Sequence, residues 1–335
     1  MKTGRLADAV YGRSVHKKLK KLPETILHGA AGDDCAMFSL TENGEKAAVF
    51  TRQVVYGGKH CAKYGIFAAV NQAAVSGCVP VAAVLSLMLP ADAQETLLQQ
   101  IVEEAQAAGE SCGVPVADVS TSVTALVNAP VLTVTVTGQA VDTVSKAKKK
   151  AGMDVVMTKW AGLEGSAILA DICQDKLLER YPAYLVEDAA EFDRYLSVIP
   201  ELEVIAEVQK SLGTEICAVC AAGESGIFRA LWTLAVQAGA GLEVMLKKIP
   251  IRQETVEICN HLDVNPYELA AGGSLLLIAA QGEALVQELN RAQIPAAVIG
   301  TVTDNNDRVI INGEERRFLE PAKADEIFKI TEELA

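Results

Sequence analysis

Apolar residues recur along this chain at two spacings, and the switch from one to the other marks out alternating strands and helices. Residues 46–56, "KAAVFTRQVVY", are rich in β-branched and aromatic side chains and predict a strand. Residues 61–76 are alanine-rich, contain no proline and run into Gly77, which predicts a helix with a glycine stop. "VAAVLSLML" (81–89) predicts a buried strand. Asp92 then stands three residues before Glu95, as in a capping box, and the helix it opens carries Leu97, Leu98, Ile101, Val102 and Ala105 on one face. "APVLTVTVTGQAV" (129–141) alternates apolar residues with threonine, the mark of a strand with one buried face. The order expected for this half is strand, helix, strand, helix, strand, strand.

Residues 142–152, "DTVSKAKKKAG", break the apolar pattern with four lysines and a glycine, so two domains are expected, 1–143 and 152–335. The second begins with a strand, "DVVMTKW", then a glycine turn and an amphipathic helix within 162–181. Residues 272–303 read as a strand–helix–strand unit, and 308–319 as a hairpin with Asn312-Gly313 at its turn. Residues 215–236, "EICAVCAAGESGIFRALWTLAV", read as an apolar strand, a small turn and a helix. Such turns attract anions, because the N–H groups that open a helix are unpaired. Here, however, Glu224 is the one ionisable group besides thiols between Cys217 and Phe228. Neither half carries GxGxxG or Walker-A spacing.

A length of 335 residues suits two domains, and the 50% hydrophobic content is globular. With 30 basic and 43 acidic residues the net charge is −13, which weighs against nucleic acid as a partner. The basic run "HKKLKKL" has no interleaved aromatics and reads as a solvated helix face. No stretch approaches the roughly 20 apolar residues that cross a bilayer, and the first residues lack a signal-peptide core. Eight scattered cysteines suit buried thiols in a reducing compartment, so a cytoplasmic location is expected.

Cys217 and Cys220 form a CxxC. Zinc would need a second Cys or His pair at similar spacing, and His60-Cys61 is the nearest candidate. Residues three apart on a strand point to opposite faces, so buried structural thiols are expected. His261, Trp160 and Trp232 stand among apolar neighbours and read as structural. Gly272-Gly273 reads as a tight turn that could also admit a ligand close to the backbone.

Several segments, in order, resemble the superfamily of aminoimidazole ribonucleotide (AIR) synthetase, selenophosphate synthetase, thiamine monophosphate kinase and the carbamoyl dehydratase of hydrogenase maturation. They are "GAAGDDCAMF", "AVNQAAVSGCVPVAAVLSLMLP", "CGVPVADVSTSVTALVNAPVLTVTVTG", "MTKWAGLEGSAILA", "GESGIFRALW" and "IPIRQETVEICNHLDVNPYELAAGGSLLLIA". The sequence is most similar to the subgroup of hydrogenase maturation factors and AIR-synthase-related proteins. The resemblance implies an α/β (α+β) fold: an N-terminal mixed-sheet domain that closes a barrel with its twin in a homodimer, and a C-terminal α/β domain. It also implies ATP and magnesium between the domains, held by aspartates at several chain-distant points.

At those points this sequence departs from the family pattern. The first acidic point survives as Asp33-Asp34. A Thr-Asp pair is replaced by Thr51-Arg52, and Asn-Asp by Asn71-Gln72. A Gly-Gly-(His/Asp)-Thr-(Glu/Lys) turn reads Asp118-Val119-Ser120-Thr121-Ser122. A His-Asp-x-Thr-Glu-Gly-Gly turn reads Cys220-Ala221-Ala222-Gly223-Glu224-Ser225-Gly226. Arginine for aspartate at position 52 matters most, since a charge contact at about 4 Å is worth roughly 4 kcal/mol at an effective dielectric near 20. Arg52 reads either as a phosphate clamp or as the ion-pair partner of Asp33 or Asp34. Asp33 and Asp34 read either as a weak cation site or as turn caps. Carbamoyl dehydratases end in a reactive cysteine, whereas this sequence ends "IFKITEELA" with its last cysteine at Cys259, so that reaction is not expected. Nor does any segment resemble the reactive Cys or selenocysteine region of selenophosphate synthetase. The leading expectation is a homodimeric binding, scaffold or regulatory protein without a cofactor. The alternative is an ATP-dependent enzyme in which Arg52 and Lys159 neutralise phosphate while Asp33, Asp34 or Glu224 keeps one magnesium. A thiol or metal protein built on the CxxC ranks third.

Overall fold

A computed structural model describes residues 8–18, 26–28, 35–39, 46–54, 60–141, 150–321 and 323–334. The chain divides into two compact units, Met1–Thr143 and Val144–Ala335. The first contains α1 (Asp8–Ser14), β1 (Ile26–His28), β2 (Cys35–Ser39), β3 (Lys46–Val54), α2 (Cys61–Val75), β4 (Cys78–Pro90), α3 (Glu95–Ser111), β5 (Val116–Thr124) and β6 (Val131–Ala140). Its six-stranded sheet runs β1-β2-β3-β6-β4-β5, antiparallel except for the parallel pair β4–β5. The expected order from residue 46 onward is the observed one.

One face of this sheet is buried and the other is open. Ala48 and Phe50 of β3, Leu85 and Leu87 of β4, and Leu132, Val134 and Val136 of β6 are buried on the face that carries α2. Between them Thr51, Ser86 and three half-buried threonines of β6 point the other way. Strand β4 shifts register between Pro80 and Ala82, so its outward positions change from Val79 and Val81 to Val84, Ser86 and Met88. Helix α2 stops at Val75, and Gly77 follows at φ +84°, as its sequence predicts. The capping box at Asp92 does not form. The chain leaves β4 through a turn in which Ala93 N–H donates to Pro90 O, which carries Asp92 past the helix start and makes Gln94 the residue before Glu95.

The second unit contains β7 (Asp154–Thr158), α4 (Leu163–Ile172), α5 (Gln174–Leu178), α6 (Ala183–Ala190), α7 (Ile199–Leu212), β8 (Ile216–Ala221), α8 (Gly226–Ala238), β9 (Gly241–Met245), α9 (Gln253–Leu262), β10 (Leu275–Ala279), α10 (Gly282–Arg291), β11 (Ala296–Thr303), β12 (Arg308–Asn312), β13 (Glu315–Phe318) and α11 (Ile327–Leu334). Its seven-stranded sheet runs β13-β12-β9-β11-β7-β10-β8 and is antiparallel except for β9–β12. All five residues of β10 are buried, as befits a strand packed on both faces. The expected strand–helix–strand unit is β10–α10–β11, whose two strands flank β7 rather than each other. The terminal hairpin is β12–β13. Among the described residues no helix is long and apolar enough to cross a membrane.

Candidate functional site

The β8–α8 turn combines unusual backbone with buried charge. Ser225 and Gly226 both adopt left-handed conformations, at φ +66° and +65°. A side chain at Gly226 would meet Tyr267 O at 2.5 Å and Leu269 O at 2.6 Å, so only glycine fits. Hydrogen bonds from Ala222 N to Ser274 O, Ala271 N to Gly223 O and Phe228 N to Tyr267 O fasten the turn to the loop before β10.

Three carboxylates are buried around this backbone: Glu164 at the head of α4, Glu224 in the turn and Asp325 before α11. Glu164 Oε2 accepts Gly272 N–H at 3.1 Å. Asp325 Oδ2 accepts Ser225 N–H at 2.6 Å, while its Oδ1 accepts Ala270 N–H at 3.2 Å and Ile327 N–H at 2.9 Å. Of the N–H groups that would greet an anion at the start of α8, those of Ser225, Gly226 and Phe228 are therefore taken by the protein's own oxygens. Burial pushes the Asp325 pKa up to about 8, against the pull of the backbone N–H groups, and Glu224 and Glu164 add to the rise. Ser225 Oγ donates to Lys323 O at 2.8 Å, which ties the same segment down a second time.

Lys159, at the end of β7, is committed elsewhere. Its Nζ donates to Tyr195 O, Ser197 O and Gly273 O at 2.9, 2.6 and 3.0 Å and lies 2.7 Å from Glu201 Oε1. Both side chains are almost fully buried. Burial pulls the lysine pKa down and the Glu201 charge opposes it. An ammonium has three protons to donate, and three backbone carbonyls use them, so the Lys159 that the alternative reading sets against phosphate is engaged by the protein's own oxygens.

In the first unit, neighbouring candidates separate onto opposite faces of the sheet. Thr51 lies on the open face, with its Oγ1 3.3 Å from Thr135 Oγ1. Arg52 lies on the helix side, in a crevice it shares with Tyr64, Gly65 and Ala68 of α2. Ser120 pairs with outward Ser86, and Thr121 with buried Leu87, so these two divide likewise. Three strand spacings, about 14 Å, separate β3 from β5. Asn71 is buried in α2 and Gln72 is half-buried beside it. Asp33 and Asp34, and with them any pairing to Arg52, lie outside the described residues.

The remaining candidates lie in packed surroundings. Cys217 and Cys220 are buried in β8 and are not joined in a disulfide, and burial raises the Cys217 pKa. His60 Nδ1 lies 2.5 Å from Glu104 Oε1, and burial pushes Cys61 up to about 11, far from a reactive thiolate. His261 packs edge-on against Tyr181. Trp160 packs on Phe192 and Tyr195 beneath Arg252, and Trp232 lies 4.0 Å under Arg308. Among the described residues no three His, Cys, Asp or Glu side chains are grouped to hold a metal ion.

Comparison with known proteins matches residues 32–140 to the N-terminal domain, and residues 150–312 to the C-terminal domain, of AIR synthase related protein. The chain belongs to the AIR synthase related protein family. A hydrogenase expression/formation protein of Methanocaldococcus jannaschii is 24% identical over 312 residues, covering 88% of this chain and 87% of its own. The crystal structure of Escherichia coli HypE, a hydrogenase maturation protein, superposes with a TM-score of 0.67 at 17% identity, covering 84% of this chain and 88% of its own. A HypE structure in complex with ATP superposes with a TM-score of 0.65 at 18% identity, covering 97% of both chains. These likenesses fix a two-domain AIR-synthase-like fold of mixed sheets and helices.

Within this AIR synthase related protein, sequence reading missed Glu164, Glu201 and Asp325. Glu164 had a signal: an acid between two glycines at the head of an apolar helix. Asp325 accepts Ile327 N–H at the start of α11, a local contact, but its bond to Ser225 spans 100 residues and leaves no local trace.

Proposed function

We propose that this AIR synthase related protein, similar to hydrogenase maturation factors, has lost Mg–ATP catalysis and acts as a homodimeric binding, scaffold or regulatory protein. The carrying observation is the occupation of the β8–α8 turn by Asp325. Its carboxyl group takes the Ser225 N–H, and Glu224 and Glu164 are buried around the same backbone. A polyphosphate arriving there would find the Ser225 N–H already spent and buried acidic side chains where it needs donors. The one lysine that sequence reading offered as a counter-charge, Lys159, is sealed by its own carbonyls and Glu201. In the first unit, a guanidinium at position 52 stands where the family pattern has an aspartate, and it would repel Mg²⁺. The described residues therefore do not fit magnesium-bound triphosphate.

Homodimerisation is supported by the open face of the first sheet. Val79, Val81, Val84 and Met88 are exposed there beside the threonines of β6. A flat array of apolar and small polar side chains on a sheet is suited to packing against another sheet.

The competing reading, an ATP-dependent enzyme with a remodelled site, draws on the neighbour solved in complex with ATP. Thermal and urea unfolding with ATP or ADP, with and without Mg²⁺, separates the two. No shift is expected. Nucleotide at a hundredfold excess over Kd would add about 2.7 kcal/mol of stability, and that gain together with phosphate release would establish the enzyme reading.

A further inference from the structure

A surface cleft of about 240 Å³ opens where β13 meets the start of α8. Phe228, Ile310, Phe318 and Leu319 give it apolar walls, and Arg317 lines it. Phe228 stacks on Tyr267, with ring centroids 5.3 Å apart and planes 11° apart, so the aromatic floor is fixed. Phe318 is 70% exposed, the most exposed aromatic ring among the described residues, and it stands on the outermost strand of the sheet.

Two acids, Glu268 and Glu320, and two cations, Arg317 and Lys323, line the cleft. Lys323 pairs with Glu320 at 2.8 Å, and Glu268 adds to the negative field around it. Arg316, next along β13, is ion-paired with Glu243 on β9. The Arg317 guanidinium lies 5.8 Å from the Phe228 ring centroid and makes no ion pair or hydrogen bond with the described residues. The Arg317 charge acts on Glu320, yet that group is held first by Lys323. A guanidinium presents a rigid fork of donors suited to a carboxylate, and an aromatic face beside it suits an apolar body.

We propose that this cleft binds an apolar carboxylate, a compact aromatic or aliphatic group ending in –COO⁻, with the carboxylate on Arg317 and the body between Phe228 and Phe318. The acid can be free or can be the C-terminus of a peptide, since both present the same group. A volume of about 240 Å³ admits a phenyl ring and a short chain. The site is independent of whether nucleotide binds, and it touches the β8–α8 turn: Phe228 lies in the first turn of α8, and the Lys323 carbonyl accepts the Ser225 hydroxyl.

The test is a ligand-observed NMR titration of the full-length protein with 3-phenylpropionate, acetyl-Gly-Phe and 3-phenylpropionamide. At least one of the two acids is expected to bind saturably, with the amide at least tenfold weaker. Arg317→Gln should lower acid affinity at least tenfold and Phe318→Ser severalfold. Both positions are exposed, so neither variant should move the unfolding temperature, and a circular dichroism melt checks this. The tighter of the two acids identifies the source, free acid or peptide terminus. Equal binding of acid and amide, undiminished binding by Arg317→Gln, or no binding by either acid would overturn the proposal.

Discussion

Asp325 Oδ2 accepts the backbone N–H of Ser225 at 2.6 Å, joining the segment before the last helix to the first turn of α8. The contact makes the β8–α8 turn self-sufficient, because its left-handed backbone and its leading N–H are both satisfied from within the chain. It also gives the fold a titrating element. The Asp325 pKa is about 8 when folded, against an ordinary value of 3.8. The folded state therefore holds this proton more tightly. Its contribution to stability is full below about pH 4 and is lost as pH rises through about 8, with a slope of at most about 1.4 kcal/mol per pH unit. Urea denaturation of the wild type at pH 5 and pH 8.5 should show lower stability at the higher pH. Asp325→Asn should flatten the difference, and an unchanged difference would place the titrating group elsewhere.

Lys159 and Glu201 form an almost fully buried pair supported by three backbone carbonyls. Truncating one partner leaves the other charged and dry, which costs about 3–5 kcal/mol. Lys159→Met is expected to lose that much stability in chemical denaturation, and Glu201→Gln less, because an amide oxygen can still accept from the ammonium. If Lys159 instead served phosphate, Lys159→Met would leave the free protein's stability nearly unchanged.

How much of this was legible depended on whether the deciding contact was local. The alternation of Leu132, Val134 and Val136 with threonine states the two faces of β6 outright, and Gly77 states the end of α2. The register shift near Pro80 is invisible in a run of apolar residues, since every position there reads as buried strand. Strand β9 escaped notice because "GLEVM" is short and sits between a helix and lysines. The surroundings of Lys159 were not legible in "MTKWAG", because apolar flanks do not reveal which carbonyls will turn towards an ammonium. The family resemblance supplied the fold, but the departures in the β8–α8 turn acquire physical meaning only once Asp325 is seen at Ser225.

Two glycines three residues apart should respond oppositely to alanine. Gly223 has open space where a Cβ would go, whereas at Gly226 a Cβ meets two backbone oxygens at 2.5–2.6 Å in a left-handed conformation. Gly226→Ala should cost about 1–3 kcal/mol from backbone strain alone, with the clash added. Gly223→Ala should stay within about 0.5 kcal/mol of wild type. Paired urea titrations decide it, and equal effects would mean that the turn does not hold the conformation described.

The open face of the first sheet makes the last prediction. Val81 is 61% exposed and Met88 41%, on the strand face opposite the buried Leu85 and Leu87. A monomer would leave this apolar surface in water. A twin sheet packed against it would remove the surface at roughly 25 cal/mol per Å² of apolar area. Sedimentation of the wild type should therefore give twice the 35.5 kDa chain mass at micromolar concentration. Val81→Glu combined with Met88→Lys should give monomers, because two charges would have to be desolvated at the centre of the contact. Both side chains are exposed in the single chain, so each monomer should keep its circular dichroism spectrum. A wild type that sediments as a stable monomer would show that this face is covered in some other way, and the homodimer would have to be abandoned.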